Sequence, residues 1–442
     1  MILKENLKYF EARRKAFINY LPDYSLVVIP NKPISIRSND VEYKYKPNSD
    51  FYYLTGLDEP NSICILKKEK KSFQFILLVE PKDKNREIWT GKKIGLERAK
   101  SIFKADLSFP VLNFETTFRE LTKDIEFLYF TFGVDKELDL KVINIFNELK
   151  TSNRTTIKSP KSISDSRDII HKMRLIKDKY EIACMEKAAE ISKNAHILAM
   201  TYAREGSYEY ELEAILEYRF RHNGSNGPAY PSIVGSGNNC TILHYIENNK
   251  KIKKNDLILI DAGCEYDYYA SDLTRTFPEN KKFTSAQKDI YSIVLEAQLK
   301  AIQEVKPGKT LNHCHDKALS VIVDGLKSIG LLKGTKDKII KNGEYKKFFM
   351  HKIGHWLGLD VHDAGPYYDE KGNPLKLSSG MVLTIEPGIY ISDDLLDVPE
   401  MYRGIGIRIE DDVLVTKKGH KVLTQGTPKT INEIELLSSS GV

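Results

Sequence analysis

The chain has 442 residues, 41% of them hydrophobic and 29% charged, with a formal net charge of +6. That length exceeds one small core and predicts two or three domains, and the composition is ordinary for a globular protein. So mild a basic balance, with no basic-aromatic array behind it, argues against nucleic-acid binding.

The amino terminus, "MILKENLKYFEARRKAF", is charged and helix-like, with no apolar signal core. Apolar runs at 24–30, 62–68, 73–81 and 127–133 predict buried strands, and 96–103 and 138–150 predict helices between them. Together they make an α/β amino-terminal domain with a mixed sheet, residues 1–165. The segment 150–166 loses apolar periodicity, gains Ser, Thr and Lys, and is expected to be the linker. A carboxy-terminal domain, 166–442, opens with a helix whose capping box is Asp178 and Glu181, and which Gly206 is expected to close. Further helices are expected at 207–224, from Thr284 to Pro307-Gly308, and at 310–330. The strands "DLILIDAG", "ASDLTRTF", "MVLTIEPGIYI" and "GIGIRIEDDVLVT" fall between and after them. Helices segregated against hairpin strands predict an α+β domain, helices on one face of an antiparallel sheet. Five scattered cysteines without a C-x-x-C pair predict free thiols in a reducing compartment. No apolar run reaches the ~18 residues of a membrane span, so a soluble cytoplasmic protein with no membrane partner is expected.

The stretch "DLILIDAGCEYDYYASDLTRTF" carries Asp261 at the end of one apolar strand and Asp272 on the next. A hairpin turning at Tyr266-Asp267 would pair them directly, with Cβ atoms about 5 Å apart. Tyr-Asp is a poor two-residue turn, so a longer loop in the same register is expected. Like charges so placed need solvent, a base or a cation, and this stretch alone leaves those readings open. Glu386 is the one charge of an apolar strand, which costs several kcal/mol unless it is paired or bound to metal. In "GIGIRIEDD", Arg408 and Glu410 share the face opposite Ile405, Ile407 and Ile409. "HKIGHWLGLDVHDAG" adds His351, His355 and His362, but Lys352 stands where a zinc-protease helix needs glutamate, and the glycines argue for a looped segment. "HCH" at 313–315 is expected to be surface or core filler, since adjacent helix residues point apart. Four carboxylates and a histidine suit manganese, cobalt or zinc, and they offer more ligand bonds than one ion accommodates. Two ions ~3.5–4 Å apart would use them.

These segments, with "PNSDFYYLTGLDEPNSICIL", "REIWTGKKIG" and "YPSIVGSGNNCTILHYIEN", resemble aminopeptidase P, the bacterial Xaa-Pro aminopeptidases of the creatinase, prolidase and methionyl aminopeptidase superfamily. The resemblance spans nearly the whole chain and implies a creatinase-like amino-terminal domain, for oligomerisation and substrate-site shaping, before a pita-bread catalytic domain. It implies that Asp261 holds one metal alone, that His355 and Glu386 hold the other, and that Asp272 and Glu410 bridge both. His244, His351, His362 and Arg408 match the substrate site, and Tyr230 and Trp89 match residues at or near it. Manganese, a cytoplasmic location and a homotetramer or dimer are further implications. The implied reaction is hydrolysis of Xaa-Pro-Yaa peptides before the proline by a metal-bridging hydroxide, with Glu386 shuttling the proton and His244 or His362 polarising the carbonyl. Prolidase is the nearest rival, and it takes only dipeptides. A non-catalytic binder would be expected to lose ligands, and all five are present.

Overall fold

The computed structural model describes residues 6–151 and 159–437. Part of the expected linker therefore lies outside the described residues. The chain divides into two compact units, Met1–Arg174 and Leu175–Val442.

The first unit is built on a six-stranded mixed sheet. Its order is Leu107–Pro110, Phe73–Val79, Ile63–Lys68, Ser25–Pro30, Phe127–Phe130 and Ser162–Ser164. The central strand Ser25–Pro30 is buried at every position, as its unbroken aliphatic run requires of a strand covered on both faces. It runs antiparallel to Ile63–Lys68 and parallel to Phe127–Phe130. Leu26, Val28, Ile65, Ile76, Phe118 and Val142 form much of the core. The helix Ser49–Thr55 begins where the Asn48 side chain accepts from the amides of Asp50 and Phe51. Within it, buried Asp50 accepts a 2.7 Å bond from Arg174. Trp89 lies on the short helix Lys84–Thr90 and is 87% exposed.

In the second unit the four expected helices are Lys179–Tyr202, Glu209–His222, Ser285–Gln303 and Leu311–Ser328. The capping boxes at Asp178/Glu181 and Thr284/Gln287 both close. The first helix stops before Gly206, because Ala203 already leaves helical geometry at ψ 129. The long strand pairs are antiparallel throughout.

Two of these pairs position the site. The hairpin turns at Asp267-Tyr268, not at Tyr266-Asp267, and by a two-residue turn rather than a longer loop: Tyr266 pairs with Tyr269, and φ is positive at Asp267 and Tyr268. Asp261 is therefore opposite Thr274 instead of Asp272. The register differs from the expected one by two residues, so Asp272 stays on the same face, as the diagonal neighbour of Asp261. Gly263 makes this fit: a Cβ there would lie 1.8 Å from the carbonyl oxygen of Ser271. The second pair joins Val382–Ile385 to Asp411–Val415 and Gly388–Ile391 to Ile405–Arg408. Both expected long strands are thus interrupted, at Pro387, which has no N–H to give to the ladder. With Ile385 opposite Asp411 and Gly388 opposite Arg408, Glu386 and Glu410 face each other across the interruption.

Candidate metal centre

Asp261, Asp272, His355, Glu386, Glu410 and Arg408 line one cavity of about 750 Å³ in the second unit, together with Tyr230, His244, His351 and His362. Trp89 belongs to the first unit. Ligand atoms of Asp272, His355 and Glu410 all lie within 4.8 Å of one another. His355 Nε2 is 3.4 Å from Asp272 and 3.6 Å from Glu386.

Each of these side chains is held from behind. His355 Nδ1 lies 3.0 Å from the carbonyl oxygen of Trp356; donating there fixes the ring so that Nε2 faces the carboxylates, where a cation would displace its proton. The His355 amide donates to Thr384 Oγ1, which in turn donates to Glu386 at 3.2 Å. Thr274 Oγ1 donates to Glu410 at 2.7 Å. The Asp272 amide donates to both oxygens of Asp412, at 3.2 and 3.1 Å. Arg408 donates to Asp261 at 2.6 Å and to the Tyr390 hydroxyl at 3.1 Å. The Tyr390 hydroxyl lies 2.9 Å from His351 Nε2. Tyr230 places one hydroxyl 2.6 Å from Asp261 and 2.5 Å from Asp272, so a single proton serves two carboxylates.

The electrostatics are those of a site short of positive charge. Burial, and then neighbouring carboxylates against the pull of His355, pushes Glu386 up to about 7. Burial, followed by Asp272 and Glu386, raises Glu410 well above its ordinary range. Burial lowers the His355 pKa, but the Asp272 hydrogen bond and charge outweigh it and lift the group to about 9. Burial and Arg408 push His351 down to about 4, so it is neutral. Four carboxylates converge against one guanidinium and one imidazole, and the donor set is carboxylate oxygen with one imidazole nitrogen. Such a set fits divalent cations, which would supply the missing charge.

The sequence reading missed Thr274, Thr384, Tyr390 and Asp412. The two threonines were accessible to it, since each stands two residues from a carboxylate on a strand and so shares its face. His315 corrects the expectation for "HCH". His313 closes the cap with Thr310, and Cys314 is buried. His315, however, lines the cavity, because the cavity wall includes the first turn of the helix Leu311–Ser328.

Comparison with known proteins shows the family to which the chain belongs. Residues 183–417 match the model of metallopeptidase family M24, and residues 10–129 match that of the aminopeptidase P N-terminal domain. The Xaa-Pro aminopeptidase of Escherichia coli is 40% identical over 97% of this chain and 97% of its own length. Human Xaa-Pro aminopeptidase 3 is 34% identical, over 94% of this chain and 81% of its own. The solved structure of a Pseudomonas aeruginosa aminopeptidase superposes with a TM-score of 0.96 at 42% identity, covering 99% of this chain and 98% of that one. A match over more than half the chain, supported by relatives along nearly all of it, places the protein in metallopeptidase family M24.

Proposed function

We propose that this chain is a dinuclear-metal Xaa-Pro aminopeptidase, which removes a single amino-terminal residue from peptides with proline at the second position. The observation that carries this reading is the convergence of four carboxylates and His355 in one cavity walled by further histidines and Arg408. Asp261 is assigned to one cation, His355 and Glu386 to the other, and Asp272 and Glu410 to both. When bound, two divalent cations make water a nucleophile at neutral pH by lowering its pKa from 15.7 toward ~7. Glu386, which lines the cavity beside His355, is the group that would take a proton from that water and pass it to the departing proline nitrogen. His244 and His362 are exposed to the cavity and polarise the carbonyl oxygen before the proline. His351, Arg408 and Tyr230 shape the pocket for the ring. The amide nitrogen before cleavage has no hydrogen, so shape must replace the N–H contact that other peptidases use.

Manganese is the metal we assign, with cobalt or zinc as substitutes, and a homotetramer or dimer in the cytoplasm is the assembly. The domain 1–165 is assigned to oligomerisation, while 166–442 carries the chemistry. No described helix is long and apolar enough to cross a membrane. A panel of Xaa-Pro, Xaa-Pro-Yaa and Xaa-Ala-Yaa peptides with each metal tests the activity. Cleavage restricted to Xaa-Pro-Yaa is expected, and equal or faster cleavage of the dipeptide would favour prolidase. Asp261→Asn and Glu410→Gln are expected to abolish turnover while the far-UV circular dichroism stays native. Near-normal turnover with full metal content in either variant would refute the ligand assignment.

A further inference from the structure

Lys352 follows His351, lines the cavity and is exposed, which puts it at the mouth rather than the floor. Its ammonium forms no ion pair with any described residue. The other formally charged side chains of the cavity, Asp261, Asp272, Glu386, Glu410 and Arg408, are buried or half-buried. The exposed lining mixes apolar and polar groups: Ile246 is 57% exposed and Tyr368 56%, beside exposed His244, Asn312 and His362. His315, another lining residue, has its pKa lowered by burial, with the Lys352 charge adding to that effect. A cation without an ion pair, set in the wall of a concave cavity, attracts an anionic ligand more strongly than the same cation on an open surface.

The next step rests on the aminopeptidase reading, in which His351 flanks the prolyl ring. Consecutive Cα atoms are about 3.8 Å apart, and an extended peptide advances ~3.3–3.6 Å per residue. His351 and Lys352 both line the cavity, so the flexible lysine stem can bring its ammonium to the residue next to a proline seated at His351. We propose that Lys352 is a specificity-determining residue that binds a carboxylate on the residue after proline, either the free carboxy terminus of a tripeptide or an acidic side chain there.

Two ratios of kcat/KM test this and separate the sources: Ala-Pro-Leu over its amide, and Ala-Pro-Asp amide over Ala-Pro-Asn amide. At least one is expected to be about three- to fivefold in the native chain, as for a partly exposed ion pair. It should approach one in K352Q, fall below one in K352E, persist in K352R, and shrink in about 0.5 M salt. Calorimetric binding of Pro-Leu and Pro-Leu amide to the manganese-loaded chain, with no turnover, should show the first preference if the free terminus is the ligand. If peptides are cleaved but both ratios stay the same in K352Q and K352E, the role of Lys352 is overturned and the aminopeptidase reading survives. If no Xaa-Pro peptide is cleaved at all, that reading falls and the inference falls with it.

Discussion

Thr384 shows how much of the centre rests on residues that cannot bind a metal well themselves. Its hydroxyl accepts the amide proton of His355 and donates to Glu386, so one side chain aligns two ligands on different segments. Partners of this kind are typically worth 10- to 100-fold in metal affinity. Thr384→Val, which keeps the shape, is expected to weaken manganese binding by about that factor in chelator competition; unchanged affinity would remove Thr384 from the account. The same residue-level electrostatics fix a pH dependence for the metal-free chain. His355 is raised from 6.5 to about 9, so its contribution is full below 6.5 and is lost as pH rises toward 9. Glu386, raised from 4.5 to about 7, acts in the same direction at lower pH. His196 opposes it there: burial depresses this group from 6.5 to about 4, so its contribution falls as pH drops through that range. The clear window is therefore 6.5 to 9. Urea midpoints of the metal-free chain should fall across it, and manganese should flatten the slope. A rising midpoint would contradict the sign.

At the scale of elements, the site depends on two strand pairs and one loop packed with almost no clearance. A Cβ on Gly354 would lie 1.9 Å from the carbonyl oxygen of Thr384, in the loop that delivers His355. Gly354→Ala is expected to cost about 1–3 kcal/mol or more and to lower the metal stoichiometry, read by urea unfolding and by metal analysis. A variant that is stable and fully loaded would show that the loop has slack. Much of this layer was legible in the sequence. Apolar runs located the strands and capping boxes located the long helices, because both signals are local. Register was not legible to the residue. The positive φ of Asp267 and Tyr268 selects the turn, and neither residue advertises it as Asn-Gly would. Period-two alternation still kept Asp261 and Asp272 on one face, so a slip of two residues left the chemical reading intact. The interruption at Pro387 was likewise hidden, although the N–H that proline lacks is its cause. His315 was misjudged because helix geometry says which residues point apart, but not what each one points toward.

For the whole molecule, metal binding and folding are linked. A ligand held only by the folded state adds about 2.7 kcal/mol at a hundredfold excess over Kd. All five proposed ligands lie in Leu175–Val442, so chelation is expected to lower the unfolding midpoint of that unit, as followed by calorimetry with and without EDTA. A chelated chain with an unchanged thermogram would mean that the carboxylates do not hold cations at all.

The distribution of aromatic residues offers a way to watch the centre. The sequence contains two tryptophans, and they fall one to each unit. Trp89 is exposed, whereas Trp356 is 1% exposed, stacks on Tyr367 and accepts the His355 Nδ1 bond through its carbonyl. Trp89→Phe would leave a chain whose emission, excited at the red edge where tyrosine does not absorb, comes from a single indole next in sequence to a proposed ligand. That emission should be blue-shifted, and added cobalt should quench it in proportion to occupancy. The protein thereby carries an optical probe of its own metal content, readable without any peptide substrate.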